Sequence, residues 1–224
     1  MIFLLFIGVF VLLMMLPQWL VKRRMKKYHQ IDDSLEGTGG ELARHLIDRF
    51  QLPVKIKPGA PADYYDPQAK LVALSQENYK NRSITAIAVA AHEVSHAMQD
   101  QKGWTPFVLR QQWAPVIAMI QSITAMVTSV GTLLIWLPGM AILWRLMIIA
   151  LIIAGVTRLL FHLLTLPVEI HASYKLALPL LAEYIPQEKL GQARKVLQAA
   201  AYTYVAQAMA DFVNIGIWLR LLRR

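Results

Sequence analysis

From Gln111 to Trp144 the chain carries no charged side chain, and Met1 to Val21 is equally uncharged and dominated by Leu, Ile, Phe, Val and Met. A helix needs about 20 such residues to rise the ~30 Å of a bilayer's hydrocarbon core. Within a membrane the backbone must satisfy its own hydrogen bonds, so stretches of this kind leave the helix as the natural fold. The composition agrees: 56% of the 224 residues are hydrophobic and 17% are charged. An ordinary soluble domain has roughly 45–50% and about 25%. The chain reads as a mainly α membrane protein with three to four transmembrane helices.

The net charge of +9 gains meaning from where it sits. Its densest run, Lys22, Arg23, Arg24, Lys26 and Lys27, directly follows the first apolar stretch. A nucleic-acid binder would cluster its cations on a soluble face, so the run instead indicates anionic lipid headgroups and membrane orientation, with no nucleic-acid partner. It should stay in the cytoplasm and leave the N-terminus outside. Residues 1–21 therefore read as a transmembrane signal anchor, since no positive segment precedes the run and no small-residue cleavage site follows it.

Residues 22–110 read as a cytoplasmic α+β lobe. Thr38-Gly39-Gly40-Glu41 ahead of Leu42, Leu46, Ile47 and Phe50 predicts a capped amphipathic helix. Val54 to Lys57 alternates like a strand, and Lys70 to Leu74 is a second strand candidate. Ser83 caps a helix over 84–101, which Gly103 ends. Spans are expected over 111–137 and 140–166, joined by a turn at Leu137-Pro138-Gly139, the second carrying Arg145, Arg158 and His162. In residues 167–224, the stretch 196–219 is either a fourth span or a helix lying along the bundle or in the interface.

The chain has no cysteine, which excludes disulfides, thiolate zinc sites and a cysteine nucleophile. A metal here must be held by imidazole and carboxylate. His92-Glu93-Val94-Ser95-His96 supplies the pattern for that. On a helix, histidines at i and i+4 share a face and can bind one Zn²⁺, while Glu93 flanks the metal where it can take a proton from zinc-bound water. Zinc needs a third protein ligand and an open position. The candidates are His29, His45, His162, His171, Asp100, Glu169, Glu183, Glu188 and Asp211. Glu169 is favoured: Pro167 can open a new helix turn just before it, and two spans return the chain there to the side of the histidines. His171 stands as an alternate ligand or a donor to the ligands.

His92 to Gln99 (His-Glu-Val-Ser-His-Ala-Met-Gln) resembles the signature of the YugP-like family, the neutral zinc metallopeptidases of bacterial membranes. The resemblance covers nearly the whole chain, through Tyr64-Tyr65-Asp66-Pro67, Lys70 to Ser75, Thr165-Leu166-Pro167-Val168-Glu169 and Ala199 to Ala206. Where the family usually shows Gly and Asn, this chain has Ser95 and His171. The resemblance implies a multi-pass protein of the bacterial inner membrane with an HExxH, zincin-like and gluzincin-like site. One Zn²⁺ per chain would be held by His92, His96 and Glu169, with Glu93 as general base. Tyr204 and His171 are candidate donors to the oxyanion. By analogy with zincin-like peptidases, Lys70, Leu71, Val72, Ala73 and Leu74 would form the edge strand on which an extended substrate pairs.

The motif helix is bounded by Lys80-Asn81-Arg82-Ser83 and Asp100-Gln101-Lys102 and is too short in apolar run to span. The site should therefore sit at the cytoplasmic membrane surface, suited to membrane-associated polypeptides. A non-catalytic zinc-binding membrane scaffold is the competing reading, and a small helical transporter a third. Glu93, which a structural metal would not need, separates the first from a peptidase. The folded lobe, which a carrier would not require, argues against the transporter.

Overall fold

The structure is a computed structural model that describes residues 19–134, 136 and 141–222. Most of the expected signal anchor and the Leu137-Pro138-Gly139 turn lie outside the described residues. The described residues divide into two compact units, one of residues 19–108 and 167–203, the other of residues 109–134, 136, 141–166 and 204–222.

The first unit opens with helical residues 19–27. It continues with α1 (Gly39–Arg49), β1 (Lys55–Ala60), β2 (Tyr64–Asp66), β3 (Leu71–Ser75), α2 (Gln76–Lys80) and α3 (Ile84–Gln101). The capping box at the start of α1 forms as its sequence predicts: the Thr38 hydroxyl accepts from the Glu41 amide, and the Glu41 carboxylate accepts from the Thr38 amide. Gly39 and Gly40 allow α1 to approach its neighbours very closely. A Cβ at Gly39 would lie 2.3 Å from the Asn78 carbonyl oxygen and 2.7 Å from that of Ala86.

At the centre lies α3. Ser83 caps it by accepting from the Ala86 amide, and Gly103, at φ 57°, ends it. Every residue from Ile84 to Gln99 is buried, so the helix is covered on all faces rather than along one stripe. Alanines at 86, 88, 90, 91 and 97 keep it thin enough for α1, the sheet and the later helices to close around it. Leu46, Leu74, Val94, Leu181, Val196 and Leu197 fill the core about it, each fully buried side chain of this kind contributing ~1.5–3 kcal/mol.

The sheet runs in the order β1-β3-β2, with β1 parallel and β2 antiparallel to β3. This corrects the expectation that Lys70 to Leu74 forms an edge. The strand starts at Leu71 and lies in the middle, hydrogen-bonded on both sides over Leu71 to Ala73. Val72, Ala73 and Leu74 are each 0% exposed, and an unbroken apolar run is what a strand covered on both faces requires. Alternation or apolarity in a sequence identifies a strand without naming its lateral neighbours. Lys70, at φ 49°, belongs to the turn before the strand.

The chain re-enters this unit through the end of α5 (Ala141–Ile170), a π-helical segment His171–Ala177, α6 (Leu178–Tyr184), a short 3₁₀ turn and the first part of α7 (Leu190–Leu222). Pro167 does not open a new helix; it lies inside α5, which continues without interruption into the π-helical turn. A proline cannot donate its backbone amide, but the wider winding that follows keeps the chain helical.

The second unit consists of most of α4 (Thr105–Leu134), most of α5 and the rest of α7. Its large apolar side chains point outward: Met126 is 62% exposed and Leu133 77%. Thr124 is among its few buried polar residues, and Thr128 and Thr132 return their hydroxyls to carbonyls one turn back. Gly131 lets Met147 approach, since a Cβ there would meet the sulfur at 2.4 Å. Among the described residues three helices, Thr105–Leu134, Ile142–Tyr184 and Gln187–Leu222, are long and apolar enough to cross a membrane. The last contains the stretch 196–219.

Candidate metal centre

Within the first unit, α3 supplies two imidazoles and the end of α5 supplies a carboxylate. The Nε2 atoms of His92 and His96 lie 3.2 Å apart, and their rings meet edge to face at 78°. Glu169 Oε2 is 3.2 Å from His92 Nε2, and its Oε1 is 3.6 Å from His96 Nε2. All three residues are buried.

These spacings can be tested against the metal. Ligand atoms ~2.0–2.1 Å from a tetrahedral ion are separated by about 3.3–3.4 Å along the edges of the tetrahedron. The measured separations bracket that value, and two neutral imidazoles with one carboxylate are a donor set that zinc accepts. Among the described residues this is the one group of three or more histidines and carboxylates able to hold a metal ion.

The histidine rings are held from behind. His96 Nδ1 lies 2.9 Å from Gln99 Oε1, and His92 Nδ1 lies 3.2 Å from Ser173 Oγ. The Gln99 amide donates to the Val168 carbonyl at 2.9 Å and reaches His171 Nδ1 at 3.0 Å. His171 stacks on Trp104, centroids 4.1 Å apart. Partners of this kind fix which ring nitrogen is free for a metal.

Glu93 follows His92, one residue or ~100° around the helix, and its carboxyl is buried at 9% exposure. Burial pushes its pKa above the usual carboxylate value, against the lowering effect of the two neighbouring histidines. The His96 ring also neighbours Phe107, 6.1 Å between ring centres, and Phe107 in turn neighbours Tyr65 at 6.3 Å. The Tyr65 hydroxyl donates to Asp100 at 2.5 Å, and Lys70 Nζ donates to the same carboxylate oxygen at 2.6 Å. Burial and the Asp100 carboxylate together hold the Tyr65 phenol in its protonated form. The sheet is thus fastened to the end of the histidine helix.

The structure brings together His92, His96, Glu169 and Glu93, and adds His171 through Gln99. Lys70 reaches Asp100 rather than the cluster, and Leu71 to Leu74 form the sheet centre. Tyr204 belongs to the second unit, where its ring lies 6.2 Å from that of His162. Sequence reasoning missed Gln99 and Ser173. Gln99 had a legible signal, three residues beyond His96 and so on the same helix face. Ser173 had none, because a π-helical turn decides which way it points.

A family profile described as "Putative neutral zinc metallopeptidase" matches residues 2–223. The chain is 36% identical over 203 residues to "Putative membrane protease YugP" of Bacillus subtilis (strain 168), a match covering 88% of this chain and 86% of that protein. No solved structure matches.

Proposed function

The chain belongs to the putative neutral zinc metallopeptidase family, and from that membership we propose that it is a membrane-bound zinc metalloendopeptidase of the gluzincin-like HExxH class. Its substrates are polypeptides associated with the membrane, cut at the cytoplasmic face of the bacterial inner membrane. The observation that carries this reading is the buried His92, His96 and Glu169 cluster with Glu93 beside it.

His92 Nε2, His96 Nε2 and the Glu169 carboxylate would hold one Zn²⁺ per chain. The ion supplies a Lewis acid that acidifies water near neutral pH and polarises a peptide carbonyl. Glu93 takes the proton from the attacking water onto its carboxylate and delivers it to the amide nitrogen as that group leaves. His171 is the proposed donor to the developing oxyanion: its Nδ1 is engaged by Gln99, leaving Nε2 to carry the ring proton. With the Lys70 to Leu74 strand engaged on both sides, an extended substrate would pair with an outer strand, β1 or β2.

The cytoplasmic assignment of residues 22–110 and of the segment bearing Glu169 rests on the basic run from Lys22 to Lys27. A reporter fused at Lys27 should be cytoplasmic, and an extracellular reporter would reverse it. The activity is tested by Glu93→Gln in the purified full chain. Zinc should stay near one equivalent while cleavage of an unfolded test protein falls by about 10²–10⁴-fold. Unchanged cleavage would refute the mechanism and leave a zinc-binding scaffold.

A further inference from the structure

Gln99 is 1% exposed, yet it is a polar side chain in the middle of a core. A buried amide is costly unless its donors and acceptor are satisfied. Here the partners fix its orientation. The Val168 carbonyl can only accept, so the atom 2.9 Å from it is the amide nitrogen, and the amide oxygen faces His96 Nδ1 at 2.9 Å. An oxygen in that place can only accept, so Nδ1 of His96 must carry the proton. The lone pair of the neutral ring is then on Nε2, the atom that faces His92 and Glu169.

The second amide hydrogen reaches His171 Nδ1 at 3.0 Å. That nitrogen must accept, so the proton of a neutral His171 ring sits on Nε2. One amide therefore sets opposite tautomers on two histidines. It also joins α3, which carries His92 and His96, to the stretch that carries Glu169, because Val168 and His171 flank that residue on either side.

We propose that Gln99 is the positioning residue of the metal centre: its amide, locked by the Val168 carbonyl, makes His96 a ligand through Nε2 and couples the histidine helix to the segment bearing Glu169. The inference rests on the zinc reading of the cluster and adds to it the residue that selects the ligating atom.

The test uses the full chain in detergent and zinc itself, with competition against a chromophoric chelator. Gln99→Met keeps length and apolar fill but removes both hydrogen-bonding ends, and zinc affinity should fall by about 10–100-fold. Gln99→Glu keeps an acceptor for His96 Nδ1 but cannot donate to Val168, and should retain affinity better than Gln99→Met. Equal losses in the two variants would mean that Gln99 is only a structural tie. A measurement on the unmutated chain needs neither variant to fold. With ¹¹³Cd²⁺ in place of zinc, imidazole ¹⁵N spectra should show the metal on Nε2 of His96 and the proton on Nδ1. Ligation through Nδ1, or a Gln99→Met protein that binds zinc as tightly as the parent, would overturn the proposal while leaving the metal site standing. Failure of the parent itself to take up zinc would bring down the metal reading first, and this inference with it.

Discussion

Among the described residues two clusters of histidine and carboxylate join helices, and they are built differently. In the first unit, two imidazoles converge on Glu169, and each ring is gripped at its far nitrogen, by Gln99 or by Ser173. In the second unit, Asp211 of α7 faces Arg158 at 2.8 Å and His162 at 3.3 Å, both on α5. There the far nitrogen of His162 is buried without a hydrogen-bond partner. The first cluster holds its lone pairs in a fixed direction, as a metal requires. The second balances a carboxylate with a guanidinium, which lets an acid sit in an apolar helix. The same residue types thus occur with their rings anchored at the far nitrogen in one unit, and as charge balance without that anchor in the other.

The sharpest way to break this contrast is to remove one carboxylate from each cluster. Glu169→Ala should lower zinc affinity by more than about 100-fold, beyond the effect of losing a supporting hydrogen bond. Asp211→Ala should leave zinc stoichiometry after desalting unchanged. Retained zinc in the first variant, or lost zinc in the second, would erase the distinction. Chelation offers a second route. Saturating zinc at 100 times its dissociation constant should stabilise the fold by ~2.7 kcal/mol. That increment, read by thermal unfolding with and without chelator, should persist in Asp211→Ala and vanish in Glu169→Ala.

The ion pair itself is expected to matter less. Arg158→Leu leaves Asp211 with His162 alone, but the Arg158 side chain is 45% exposed. The loss should therefore fall below the ~3–5 kcal/mol of a fully buried pair, to about 1–2 kcal/mol in detergent unfolding, with zinc binding intact. A loss of zinc in this variant would tie the two clusters together.

The smallest effect belongs to a half-buried contact that serves as a baseline for both. Lys189 donates to Asp32 and to Ser34, and the Lys189 hydrogen bond, followed by that of Ser34, holds the Asp32 carboxyl below its usual pKa. A carboxyl whose pKa is lower in the folded state stabilises above its unfolded value and loses that contribution as pH falls through the folded one. Asp32→Asn should therefore cost about 1 kcal/mol at neutral pH, as expected for a solvent-screened, half-buried pair. Parent and variant should converge below about pH 4, the unfolded carboxylate range. A gap that widened in acid would contradict the sign.

The two clusters also differ in how legible they were. The capped helix α1, the boundaries of α3 and the paired histidines follow from local rules, because caps and i, i+4 spacing act within a few residues. Glu169 was reachable through topology, by asking where the chain returns to the histidines. Asp211 was visible as one of several candidate ligand carboxylates, and its pairing was not legible because its partner Arg158 lies on another helix. Strand order escaped for the same reason: Leu71 to Leu74 says "buried strand" but not which strands flank it. Pro167 suggested a helix start on local grounds, and the packed helix overrode it. Ser173 illustrates the limit best: a lone serine in a helix is commonplace until the turn that aims it at His92 is known.

The π-helical segment from His171 to Ala177 has a consequence for what changes this chain can absorb. An α-helix turns ~100° per residue, and the wider winding gives this turn room for a residue that an α-helical turn would exclude. Taking one residue out between Glu169 and Ser173 would change the rotation that separates the two side chains, and a substitution at an outward position would not restore it. The segment should therefore be forgiving of identity at its outward positions and unforgiving of count, so that a single in-frame deletion there does more harm than several substitutions.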